Sequence, residues 1–247
     1  MILDVNAFIG KWPFWPVAAS APGEVARSLA HCGIESAAIC SLRSVFVHTE
    51  DGNAEALAAA EAAPEHFTAW ASIGPLGSQD LAQHIARGFR GVRLYPQHHS
   101  YHPPYARFLA PLLEQAAELR MPVMLPLRLT MNWAMPMLAL DVIDGLVARH
   151  PRVRWVLAAI NYLFELEMAC ALMRRYETVH LETSCLMGFE AVAGLANDYG
   201  ADRILFGSGA PVQNGVASLS KVLHAAVSDS DREKILGANA RRLMEMK

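Results

Sequence analysis

The chain has 247 residues, 53% of them hydrophobic and 18% charged, which is too apolar and too weakly charged for a disordered polymer. A formal net charge of −3 provides no global field to attract nucleic acid or an anionic membrane surface. The four cysteines, Cys32, Cys40, Cys170 and Cys185, are widely spaced with no CxxC pair; this argues against a disulfide framework or a structural zinc site and fits a reducing cytoplasm. The N-terminal Met1–Val5 lacks a basic start and a long apolar run, so no signal peptide is expected. No stretch of about 18 residues is free of charges and breakers, so no membrane span is expected either.

In chain order, short apolar runs near 2–7, 35–41, 67–73, 91–95, 122–127, 153–160, 178–183 and 203–207 read as strands. Most are continuous rather than alternating, as expected for parallel strands covered on both sides. Between them lie segments of helical period: Pro22–His31, Ala54–Ala63, Gln79–Arg87, Tyr105–Leu119, Met137–Arg149, Leu163–Arg175, Phe189–Asp198 and Val216–Val227. A last helix, Asp231–Met246, follows Ser230 as its expected N-cap. Eight βα units at roughly 30-residue spacing predict a single (β/α)8 TIM barrel over residues 1–247. A doubly wound sheet is the alternative, but the turn Phe8–Pro13 is not a glycine-rich dinucleotide loop.

In such a barrel, chemistry belongs at the C-terminal strand ends. There the sequence resembles the amidohydrolase-related branch of the amidohydrolase superfamily. The similar pieces are Asp4–Gly10, Gly88–Pro96, Met121–Leu125, His150–Ala158, Arg203–Ser208 and Ile235–Leu243, which span almost the whole chain in family order. The resemblance implies a TIM-barrel hydrolase or decarboxylase, by family habit metal-dependent. The metal ligands do not carry over. Where the family has His-x-His, this chain has Asn6 and Phe8; the later histidines fall at Pro126 and Ala159, and the aspartate at Gly209. Only Asn6 retains a donor atom, and a catalytic zinc needs about three good protein ligands. The expectation is therefore no metal at the usual place and no cofactor.

The polar groups that remain suggest other chemistry. The resemblance places polar site residues at the equivalents of Arg93 and Tyr95. Strand parity aims Arg128 and Asn161 inward with them, Arg43 follows the second strand, and Asn6 ends the first. Guanidiniums at one mouth suit a carboxylate, which arginine grips in bidentate fashion. Alternatively, Arg93 closes an ion pair with Glu182, because an unpaired buried arginine is costly. His98 and His99 in the fourth loop and Glu182 near the seventh strand end are the candidates to move protons. A three-histidine metal site in that loop is disfavoured, since neighbouring side chains on an extended chain point opposite ways.

Trp12–Pro16 and Met131–Met137 read as mouth-covering loops, and Tyr162–Met173 is apolar on more than one face, as a pocket wall or a subunit interface would be. Three readings follow. The first is a small-molecule site for a carboxylate-bearing compound, with metal-independent hydrolase or decarboxylase chemistry. The second is an inactive barrel acting as a binding or assembly subunit, including a homo-oligomer. The third is a metal-dependent hydrolase with relocated ligands.

Overall fold

A computed structural model describes residues 1–130, 136–161, 163–188 and 190–245. The strands are β1 (Leu3–Ile9), β2 (Ser36–Ser41), β3 (Phe67–Ala69), β4 (Ala71–Ile73), β5 (Val92–Leu94), β6 (Val123–Pro126), β7 (Trp155–Ala158), β8 (Val179–Glu182) and β9 (Ile204–Leu205). Neighbours pair in parallel from β1 to β3 and from β4 to β9. β3 and β4 are one strand interrupted at Trp70, whose amide bonds the Ile39 carbonyl while the Ala71 amide bonds that of Gly91. Hydrogen bonds from the Val5 amide to the Phe206 carbonyl and from the Gly209 amide to the Asn6 carbonyl link the last strand to the first. The architecture is the expected (β/α)8 barrel.

The helices are α1 (Pro22–His31), α2 (Leu42–Phe46), α3 (Thr49–Ala62), α4 (Leu81–Arg87), α5 (Leu109–Leu119), α6 (Leu140–Arg149), α7 (Leu163–Arg175), α8 (Ala191–Tyr199), α9 (Gly215–Leu223), α10 (Asp229–Glu233) and α11 (Asn239–Leu243). Three departures from the sequence expectation have local causes. Ser41 Oγ accepts the Arg43 amide, starting α2 directly at the end of β2. His48 caps α3, which begins at Thr49 rather than at Ala54. Its first turn holds Gly52, where a β-carbon would overlap the Ser44 backbone, so close packing on α2 outweighs glycine's poor helix propensity. The last helix is broken by a π-turn over Lys234–Ala238, and its N-cap is Ser228, not Ser230. Residues Met131–Met135, Tyr162, Phe189 and Met246, which belong to the expected apolar loop and helix ends, lie outside the described residues.

Three apolar layers position the site. The largest fills the space between strands and helices. Inside the barrel, Val5, Ala38, Trp70, Met124, Val156 and Leu205 pack together, and Ala240 and Leu243 of α11 close on them. At the opposite, C-terminal end, Phe8, Trp12, Leu42, Val45, Tyr95 and Leu129 form a third cluster. Trp12 makes edge contacts with Phe14, Trp15 and Phe46, so the first loop does cap the mouth with aromatic rings.

Candidate functional site at the barrel mouth

Between the inner and upper apolar clusters lies a polar layer. Arg93, on β5, is wholly buried there. Its guanidinium carbon stands 5.2 Å from the Phe8 ring centre and 5.8 Å from that of Trp70, between one ring of each cluster. Nη1 donates to Asn6 Oδ1 at 3.1 Å, and Nη2 donates to the carbonyls of Val5 at 3.1 Å and Ala38 at 2.8 Å. Arg93 therefore makes no ion pair with Glu182. Its charge is spread over Asn6 and the backbone of the first two strands, an arrangement that strand spacing alone does not reveal.

Glu182 and Asp4 complete the layer, both fully buried. The Glu182 carboxylate accepts the Ser184 amide, Ser184 Oγ at 2.9 Å, Asn6 Nδ2 at 3.3 Å and the Ala159 amide at 3.3 Å. A β-carbon on Gly207 would overlap that carboxylate, so glycine is required there. Asp4 accepts the Asn6 amide at 2.8 Å, the Ser208 amide at 2.9 Å and the Ser208 hydroxyl. Burial raises the Asp4 pKa; the bonds from Ser208 and Asn6 and the Arg93 charge oppose the rise. Burial likewise raises Glu182, opposed by its Ser184 and Ala159 donors and reinforced by the Asp4 charge. Asn6 is the hinge of the layer, its oxygen serving the guanidinium and its nitrogen the Glu182 carboxylate.

Tyr95, two residues beyond Arg93, is buried in the upper cluster, and burial pushes its phenol well above the usual range. Tyr95 Oη stands against the Arg93 guanidinium and the Cys40 thiol, but neither Oη nor Arg93 Nε reaches full hydrogen-bond geometry among the described residues. His98 and His99 flank this phenol, with ring centres 6.4 Å and 6.0 Å from it. His98 packs against Phe46 at 5.1 Å; burial, helped by His99, pulls its pKa down to about 4, so it is a neutral base at pH 7. His99 Nε2 lies 2.9 Å from the Ser44 carbonyl and therefore donates there.

The other predicted residues lie elsewhere. Arg128 is held by Glu165 of α7, with Nη1 3.0 Å from Oε2 and Nη2 on Oε1, and it also meets the Ala159 carbonyl at 3.2 Å. The Asn161 amide donates to the same Glu165 at 2.8 Å, so Arg128 and Asn161 share a second cluster centred on that acid. Arg43 is half-exposed on the rim and paired with Asp51 at 2.6 Å. The mouth thus does not gather three guanidiniums. Sequence reasoning missed Asp4 and Glu165 as members of these clusters. Asp4 stands inside the family-like segment, whereas Glu165 reads as an ordinary helix-surface acid and carries no local signal. Among the described residues, no group of three or more His, Cys, Asp or Glu side chains is arranged to hold a metal ion.

An eightfold βα barrel with its polar groups gathered at the C-terminal strand ends defines the class. The chain belongs to the amidohydrolase family, whose profile matches residues 12–245. It is similar in structure to an uncharacterised TIM-barrel protein from Bordetella bronchiseptica, at 21% identity and a TM-score of 0.76, with 98% of each chain covered. It is also similar to 2,6-dihydroxybenzoate decarboxylase from Rhizobium, at 18% identity and a TM-score of 0.73, covering 98% of this chain and 97% of that one. A third is 5-carboxyvanillate decarboxylase from Sphingomonas paucimobilis, at 14% identity and 0.71, covering 100% and 99%. At these identities the likeness establishes the fold. No curated protein matches the chain by sequence. Among the described residues, no helix is long and apolar enough to cross a membrane.

Proposed function

We propose that residues 1–247 form one barrel domain that takes a small carboxylate-bearing compound at its mouth and works there without a divalent cation. The observation that carries this reading is Arg93. Of the five positions where the family would hold its metal, only Asn6 presents a side-chain oxygen, and Arg93 Nη1 already donates to it at 3.1 Å. A cation on that oxygen would face a guanidinium at hydrogen-bonding distance, and Phe8, Pro126, Ala159 and Gly209 add no side-chain donor. The residues present do not fit a divalent metal.

The ligand class is supported by Arg93 Nε and Tyr95 Oη, two neighbouring buried polar groups on β5 and its extension that do not reach full hydrogen-bond geometry. A structural neighbour, a 2,6-dihydroxybenzoate decarboxylase, is complexed with 2,6-dihydroxybenzoate. In this reading Arg93, Tyr95 and Asn6 orient the anion, and neutral His98, beside Tyr95, is the base, with His99 and Glu182 as the other groups able to hold a proton. Arg128 and Asn161 shape the adjoining wall through Glu165, and Arg43 stands at the rim.

The test is elemental analysis of protein purified without chelator, combined with thermal shift using 2,6-dihydroxybenzoate as probe. The expected result is no stoichiometric zinc or manganese, a raised midpoint with the probe, and a smaller rise in Tyr95→Phe. Stoichiometric metal at the mouth overturns the first half, and a midpoint unmoved by the probe overturns the second.

A second reading, a non-catalytic barrel serving as an assembly subunit of the cytosol, draws on one observation. Leu163, Phe164 and Met187 are 73%, 53% and 70% exposed, an apolar surface in keeping with a homo-oligomer. Light scattering separates the two: a monomer at all concentrations ends it.

A further inference from the structure

Away from the axial layer, the loop after β1 and helix α2 enclose a cleft of about 460 Å3. Gly10, with φ 89°, makes the turn beside it and lies against the start of α2, where a β-carbon would meet Ser41 Oγ at 3.4 Å in ordinary contact. Lys11 and Arg43 come to the same rim. Pro13, Leu42 and Phe46 supply apolar wall. Among the described residues Lys11 has no ion-pair partner. Arg43 spends one nitrogen, Nη2, on Asp51 and keeps the rest of its fork. The single acid of the lining, Glu55, is engaged through Oε2 by Ser41 Oγ at 2.7 Å.

We infer that this cleft is a second binding site, distinct from the axial layer, for a monocarboxylate with an apolar tail, its head on Lys11 and Arg43 and its tail along Leu42 and Phe46. The volume is that of a small-ligand pocket, and mostly apolar walls with a few fixed charges are the usual form of one. Lys11 is the cation that lacks an acid, so the head it favours is an anion. Glu55, already hydrogen-bonded, sets the polarity of the opposite wall and disfavours a dianion.

Calorimetric titration of the full chain with octanoate, octylamine and 1-octanol at low salt tests the assignment. Octanoate is expected to bind best. Lys11→Ala is expected to weaken it about three- to fivefold and Lys11→Glu roughly tenfold, while 1-octanol binding changes less than about twofold. Lys11 is exposed, so neither variant threatens folding; Arg43→Gln is expected to act in the same direction. Octylamine binding as well as octanoate, octanoate affinity unmoved by Lys11→Glu, or no heat with any probe overturns the proposal. Carboxylate binding that survives Lys11→Glu and Arg43→Gln but falls in Tyr95→Phe ends this site and leaves the axial one standing.

Discussion

Replacing Arg93 with methionine keeps most of the side chain's length and removes its charge. Three buried acceptors, Asn6 Oδ1 and the Val5 and Ala38 carbonyls, lose their donors. Each orphaned buried group costs on the order of 1–3 kcal/mol, and removing the cation beside a buried carboxylate adds to that, so a loss of about 4–6 kcal/mol is expected near pH 7. The pH dependence carries the sharper test. Burial already raises Asp4, and the Arg93 charge is one of the forces holding it down. Without that charge the folded variant binds a proton at higher pH than the wild type does. Its deficit therefore shrinks as pH falls toward the ordinary aspartate range, by about 1 kcal/mol or more between pH 7.5 and pH 5. Urea unfolding of both proteins at the two pH values measures this, and histidine contributions common to both cancel in the difference. Arg93→Lys, which retains the charge but not the fork, should show a smaller and nearly pH-independent loss. A deficit below about 1 kcal/mol, or one equal at both pH values for Arg93→Met, refutes the view that Arg93 is the resident cation of the barrel.

Glu165→Gln removes the buried carboxylate that Arg128 meets through both terminal nitrogens and should cost about 3–5 kcal/mol in chemical denaturation, whereas joint replacement of both residues by Met and Leu should cost far less. His180, half-buried on β8 with Nδ1 near the Trp155 and Thr178 carbonyls, has its pKa pulled by desolvation to about 4. An imidazole kept neutral in the fold stabilises above its unfolded value and loses that stability as pH falls from about 6.5 to 4, here roughly 3 kcal/mol. His180→Asn should flatten that slope of the stability curve, and an unchanged slope rejects the assignment. Gly207→Ala drives a methyl group into the Glu182 carboxylate and should destabilise by about 1–3 kcal/mol in thermal unfolding, while Gly194→Ala, in helix α8 with open space around it, should instead stabilise by up to about 1 kcal/mol.

Much of the architecture was legible in the sequence because parallel strands buried on both faces must be apolar along their length, and this fixes their place without knowledge of their neighbours. The runs near 2–7, 122–127 and 178–183 correspond to β1, β6 and β8, and helices α1 and α7 carry the expected limits. Helix α2 escaped because its five residues carry no periodicity, only a serine cap at a strand end. The π-turn over Lys234–Ala238 escaped because a one-residue change in helical hydrogen bonding leaves no mark on composition or periodicity.

The identities of Asn6, Phe8, Pro126, Ala159 and Gly209 near the strand ends are likewise read directly from the sequence. Residue identity at a strand end is enough to say which atoms are on offer. It does not say what those atoms touch. That Arg93 turns to Asn6 and two carbonyls rather than to Glu182, and that Arg128 turns to Glu165, depends on side chains from strands and helices far apart in the chain. Hydrogen bonds of that range leave no local pattern. Only closing the ring of strands sets their lengths, and with them which charges meet.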